Sequence, residues 1–168
     1  MLDGGCGRGL LLIATALRLT TAKETGVGPW RVSGTPPEAV EENAAREGVR
    51  GRIEVKHGDA RQVPFPDNSF DVVVSNFVHE LKTDREREKM ARELARVLKA
   101  SGHLALADFI FTSECVQVLR QCGLADAQRS RDGLVNFWIT AILSLGTDLS
   151  RHSRQNAQPL GAPASSLR

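Results

Sequence analysis

Three glycines at alternate positions, Gly5, Gly7 and Gly9, separate an acidic residue, Asp3, from the apolar run Leu10–Leu17. A strand that ends on an acid and turns through glycines into a helix brings backbone, free of Cβ atoms, close to whatever fills the turn. The helix opening at about Gly9 then directs its unpaired N–H groups at the same place. A plain surface turn before a core helix has the same composition, so the rest of the chain decides between the two.

Behind the turn, strand and helix signals alternate. Thr25–Trp30 reads as a short strand closed by Gly28-Pro29. Thr35-Pro-Pro-Glu38 reads as a helix start in which Thr35 caps and Glu38 completes a capping box, with Gly48 as the stop. Arg52–Asp59 alternates as a strand running into a turn, and the prolines of Val63–Asn68 make a loop. Ser69–Asn76 carries a continuous β-branched run and is predicted to be a buried parallel strand. Thr83 and Glu86 form a second capping-box pattern. The helix behind it sets Met90, Leu94, Val97 and Leu98 on one face and stops at Ser101-Gly102. His103–Phe109 is a strand, Ser113–Cys122 a helix stopped by Gly123, and Val135–Leu143 a last strand.

This alternation predicts an α/β fold: a doubly wound, mostly parallel sheet with helices on both faces. Its first strand is clipped, because only Met1 and Leu2 precede Asp3 where about five or six residues are usual. Helix 10–19 is apolar nearly all round and calls for cover on two sides. The expectation is that the start of the domain, with a covering helix, lies upstream of this sequence.

At 168 residues the chain is long enough for one domain with a proper core. The net charge of +2 lies wholly in residues 147–168, leaving 19 basic and 19 acidic residues in 1–146. Balanced charge argues against nucleic-acid binding driven by bulk electrostatics. From Thr147 onward the polar composition, without an aromatic residue, predicts a disordered tail behind a domain covering 1–146. No apolar run nears the roughly 20 residues of a membrane helix. The three cysteines (6, 115 and 122) lack zinc-ligand spacing, no Cys/His cluster suggests a metal, and a reducing, cytoplasmic compartment is the expectation. Cys6, inside the turn, reads as a small packing residue.

The turn Asp3-Gly-Gly-Cys-Gly-Arg-Gly9 lacks the spacing of the nicotinamide dinucleotide fingerprint. It resembles the D-x-G-x-G-x-G signature of class I S-adenosylmethionine-dependent methyltransferases. Four further stretches match that family in order: Gly58-Asp59-Ala60, Pro64-Phe65-Pro66-Asp67, Phe70-Asp71 with the valines to Ser75, and Leu94–Gly102.

The resemblance implies a Rossmann-like fold with S-adenosylmethionine as cofactor. It places Asp3 near the cofactor's amino-acid end and packs Gly5, Gly7 and Gly9 against the cofactor. By the same resemblance Asp59 accepts from the adenine amino group, Ala60 supplies the adjacent backbone N–H, and Asn76 lines the cleft near the methyl group. Where the family ends its second strand with an acid for the ribose hydroxyls, this sequence has Gly28 or Pro29. Glu24 lies at the strand's other end and Glu38 inside a helix. Losing such a contact costs about 1.5–3 kcal/mol per hydrogen bond, roughly tenfold to a hundredfold in affinity.

Trp30 either covers the adenine face instead or packs as a core or rim tryptophan. His79, just past the fourth strand, is the best-placed general base if the acceptor must lose a proton; an ordinary loop histidine is the plainer reading. The activity implied is methyl transfer to a small-molecule acceptor. Its rival is a non-catalytic protein that keeps the fold and binds the cofactor weakly or not at all.

Overall fold

A three-residue strand holds the middle of the sheet. In the computed structural model, which describes residues 1–29, 34, 36–78, 81–108, 112–129 and 138–142, β1 (Leu2–Gly4) runs parallel between β2 (Glu24–Gly28) and β4 (Phe70–Asn76). β3 (Ile53–His57) adds parallel to β2, and β5 (Leu98–Ala107) parallel to β4. β7 (Trp138–Ile142) pairs antiparallel with β5 and carries β6 (Gln128–Arg129) on its far side. The order is β3-β2-β1-β4-β5-β7-β6. Helices α1 (Leu10–Arg18), α2 (Pro37–Arg46), α3 (Asp84–Val97) and α4 (Thr112–Gln121) make the connections, which is the doubly wound α/β architecture that the alternation predicts.

The core lies in two layers. Val73 of β4 packs on the side of Leu94, Leu98, Leu104 and Leu119, whereas Val74 packs on the side of Leu12, Ile13, Ala16 and Val40. Successive strand residues face opposite sides, so a strand covered on both reads as an unbroken apolar run. Met1 and Leu2 divide between the same two layers.

α1 buries Leu12, Ile13 and Ala16, but Leu10 is 78% exposed and Leu17 and Leu19 also reach solvent. Among the described residues this helix has one cover. Its second apolar face is what made it read as apolar all round.

The capping box on α3 forms as expected: the Glu86 N–H donates to Thr83 Oγ1 at 3.3 Å, and the Thr83 N–H donates to Glu86 Oε2 at 3.0 Å. The one expected on α2 rests on Thr35, outside the described residues. The N-cap there is Pro36, without a side-chain cap, and Pro37 opens the helix, its missing N–H needing no acceptor. α3 ends at Val97 and not at Ser101-Gly102, because buried Leu98 already pairs with Phe70 as the first residue of β5. The Ser101-Gly102 pair serves instead inside β5, where the register to β4 shifts before resuming at His103 opposite Val72. β6 has no counterpart in the sequence reading, since its two residues are polar and exposed and leave no apolar signal. The segment 147–168, expected to be disordered, lies outside the described residues.

Candidate functional site

Four strands deliver their carboxyl ends side by side, and hydrogen bonds join the turns that follow them. The Gly58 N–H, after β3, donates to the Gly28 carbonyl of β2 at 3.2 Å. The Gly5 and Cys6 N–H groups, after β1, both donate to the Val27 carbonyl at 2.8 and 3.0 Å. From β4 the buried Ser75 hydroxyl donates to the Gly4 carbonyl at 2.6 Å. Asp59, Gly28, the glycine turn and Asn76 therefore follow one another along a single edge. The chain order reverses between β1 and β4 on this edge, which is where open α/β sheets take ligands.

The three glycines of the turn do different work. All have positive φ: 86° at Gly5, 51° at Gly7 and 85° at Gly9. A Cβ at Gly5 would stand 2.7 Å from Val78 Cγ2, and one at Gly9 2.7 Å from Val40 Cγ1. Those two are required by packing within the protein. Gly7 has no atom within 4 Å of where its Cβ would be, so the turn is open to a ligand there. Packing within the protein thus gives Gly5 and Gly9 a reason of their own, which Gly7 lacks.

Asp3 is the most unusual group on the edge. It is 1% exposed, and among the described residues neither carboxylate oxygen has a partner at full hydrogen-bond geometry; the backbone N–H of Leu12 is the donor turned toward it. Burial pushes its pKa up to about 7, with the N–H of Leu12 in the first turn of α1 pulling the other way and the carboxylate of Glu24 adding to the rise. A buried polar group without a partner costs about 1–3 kcal/mol, and more when charged. Such a carboxylate fits a ligand that brings a cation, as the ammonium end of S-adenosylmethionine does.

Asp59 is the opposite case. Its Oδ1 accepts from the Arg61 N–H at 2.8 Å and from Arg61 Nε at 2.9 Å, and its Oδ2 accepts from Nη2 of the same guanidinium. Arg61 Nη1 reaches on to Glu86 of α3. The Arg61 hydrogen bonds hold Asp59 below the usual carboxylate range. Asp59 thus has the turn role that an aspartate after glycine suggests, and its side chain still keeps 39% of its surface open. Ala60 beside it is buried among the core residues and anchors the turn, while Asn76 stands half-buried at the end of β4.

The acceptor missing from the second strand stays missing: β2 ends at Gly28, and Glu24 is buried at its amino end, away from the edge. Trp30 and His79 lie outside the described residues. Cys6 is buried, which drives its thiol pKa upward and leaves it a packing residue. Among the described residues no group of His, Cys, Asp and Glu is arranged to hold a metal ion, and no helix is long and apolar enough to cross a membrane.

The first turn of α3 contributes residues that sequence reasoning passed over. Arg87, nearly buried, donates to the Leu81 carbonyl at 2.7 Å and lies 3.8 Å from a carboxylate oxygen of Asp108, just past β5. Glu86 was legible as a cap, but its second partner, Arg61, comes from another element. Spacing along one segment carries no record of that meeting.

Residues 2–106 match the family model described as a methyltransferase domain. The chain is 35% identical over 146 residues to the 27-O-demethylrifamycin SV methyltransferase of Amycolatopsis mediterranei, which takes in 86% of this chain and 48% of that protein. It is 33% identical over 112 residues to a methyltransferase of Streptomyces halstedii, covering 66% of this chain and 37% of the relative. The chain therefore spans half or less of these relatives' length. The crystal structure of an S-adenosylmethionine-dependent methyltransferase from Aquifex aeolicus superposes with a TM-score of 0.62 at 22% identity, over 84% of this chain and 80% of that one. At that identity the likeness is one of fold.

Proposed function

This chain belongs to the class I S-adenosylmethionine-dependent methyltransferases, and from that membership we propose that it binds the cofactor at the carboxyl edge of β1 to β4 and transfers its methyl group to a small-molecule acceptor. The observation that carries the proposal is Asp3, a buried carboxylate that no charged or side-chain donor among the described residues satisfies, beside a turn whose middle glycine has none of their atoms where its Cβ would be.

Bound S-adenosylmethionine supplies an electrophilic methyl group and its own leaving group, so the protein has mainly to position and to exclude water. In this assignment Asp3 pairs with the ammonium end and Gly7 lets the backbone approach. Asp59 and the Ala60 N–H hold the adenine edge, Asn76 borders the methyl group, and His79 is the candidate base for an acceptor that must lose a proton. The small-molecule acceptor rests on relatives such as the demethylrifamycin enzyme. The free state of Cys6, Cys115 and Cys122 fits a cytoplasmic location.

A second reading, a methyltransferase-fold protein that binds the cofactor poorly, draws on Gly28, where β2 ends without an acceptor for the ribose. Isothermal titration with S-adenosylmethionine and S-adenosylhomocysteine separates the two. Saturable binding weakened at least tenfold by both Asp3→Asn and Asp59→Ala is the outcome expected of the first. A folded chain that releases no heat with either ligand sinks it in favour of the second.

A further inference from the structure

Asp59 and Arg61 are joined too completely for the pair to be only a surface contact. An ionised carboxylate offers about four acceptor positions. Three donors of Arg61 serve Asp59: its backbone N–H reaches Oδ1, Nη2 reaches Oδ2, and Nε is shared between the two oxygens at 2.9 Å from each. The fork is planar and rigid, so it sets the plane of the carboxylate and the direction in which its remaining acceptor capacity points. Glu86 then fixes the guanidinium from the other side. Its own Oε2 is committed to the Lys82 and Thr83 N–H groups at 2.9 and 3.0 Å, so it cannot follow Asp59 if that turn shifts.

We propose that Arg61 is the positioning residue for base recognition: its three donors orient the Asp59 carboxylate and leave it capacity for one more donor, the exocyclic amino group of a 6-aminopurine, and Glu86 anchors Arg61 in that pose. The proposal rests on the reading of Asp59 as the adenine contact and extends it to selectivity. A carboxylate held ionised by Arg61, with Lys89 adding to the effect, can accept but not donate. It therefore pairs with an amino group and opposes a keto oxygen at the same ring position. Without the fork the carboxylate turns freely, its acceptor is no longer aimed at the base edge, and the distinction between the two bases fades.

The test is titration of the chain and of Arg61→Ala, Arg61→Lys and Asp59→Asn with S-adenosylhomocysteine and S-inosylhomocysteine, whose purine carries a keto oxygen in place of the amino group. The wild-type chain should prefer the adenosyl ligand by tenfold or more. Arg61→Ala should cut that preference to within about threefold by weakening the adenosyl ligand, Arg61→Lys should restore part of it, and Asp59→Asn added to Arg61→Ala should cost no further affinity. If Arg61→Ala does not fold, Arg61→Gln carries the same comparison. A drop of equal size for both ligands, an unchanged preference, or additive losses in the double variant would overturn the role of Arg61 while leaving cofactor binding in place. An Asp59→Asn chain that binds as well as wild type also overturns it. Failure of the folded wild-type chain to bind S-adenosylhomocysteine at all removes this inference together with the functional reading beneath it.

Discussion

Two aspartates stand on the same edge of the sheet in opposite electrostatic states. Asp3 is buried and, among the described residues, without a partner at full hydrogen-bond geometry, and burial pushes its pKa up to about 7. Asp59 is half-exposed, gripped by Arg61 and held below the ordinary range. Burial makes an ionised Asp3 costly to the fold, whereas Asp59 stabilises it modestly. Glu24, at the amino end of β2, is buried in the same way, so burial alone does not mark a ligand site, and what sets Asp3 apart is its place beside the glycine turn. A group already satisfied at home has to offer a ligand whatever acceptor capacity its partner leaves over.

The contrast breaks first at Asp3. Between its unfolded value of 3.8 and about 7, the native state holds a proton that the unfolded chain has released. Its contribution to stability therefore falls as pH rises through that window and is level above it. Asp3→Asn should remove this slope, giving no gain near pH 4 and up to about 4 kcal/mol at pH 8 by urea unfolding. A variant less stable than wild type at pH 8 would show that Asp3 has a structural partner after all.

The glycine turn offers the next largest effect. Gly5→Ala combines a positive φ with a Cβ 2.7 Å from Val78 and should cost about 3 kcal/mol. Gly7→Ala meets open space and should cost about 1 kcal/mol, with its main effect on cofactor affinity. Equal losses of stability would erase the division between a packing glycine and a ligand-facing one. The smallest effect is expected at Asp59. Asp59→Asn should lower stability by less than about 1 kcal/mol, because its ion pair is solvent-screened. Its pH dependence should have the opposite sign to that of Asp3, with stability present above the unfolded pKa and lost as pH falls below it.

Much of the fold was legible because its signals are local. The β-branched run of β4, the Thr83–Glu86 box and the glycine turn each carry their geometry within a few residues. The errors share one cause. Ser101-Gly102 is a good local helix stop, yet sheet pairing at Leu98 ended α3 first, and β6 exists only because β7 gives it a partner. At the site, Asp3, Asp59 and Asn76 could be named from motifs, whereas Arg61, Glu86 and Arg87 could not. Glu86 meets Arg61 across 25 residues and Arg87 meets Asp108 across 21, and the grip of Arg61 on Asp59, two residues away, follows from a turn that no periodicity marks.

By itself the sequence determined the alternation of the main strands and helices, the family, and which acids end β1 and follow β3, because periodicity, capping and turn chemistry act over short spans of chain. Only the tertiary structure decided that one of those acids is stranded in the core and the other held by an arginine. Desolvation and ion pairing depend on what other elements bring to within a few ångströms, and that is set by packing and not by spacing along the chain.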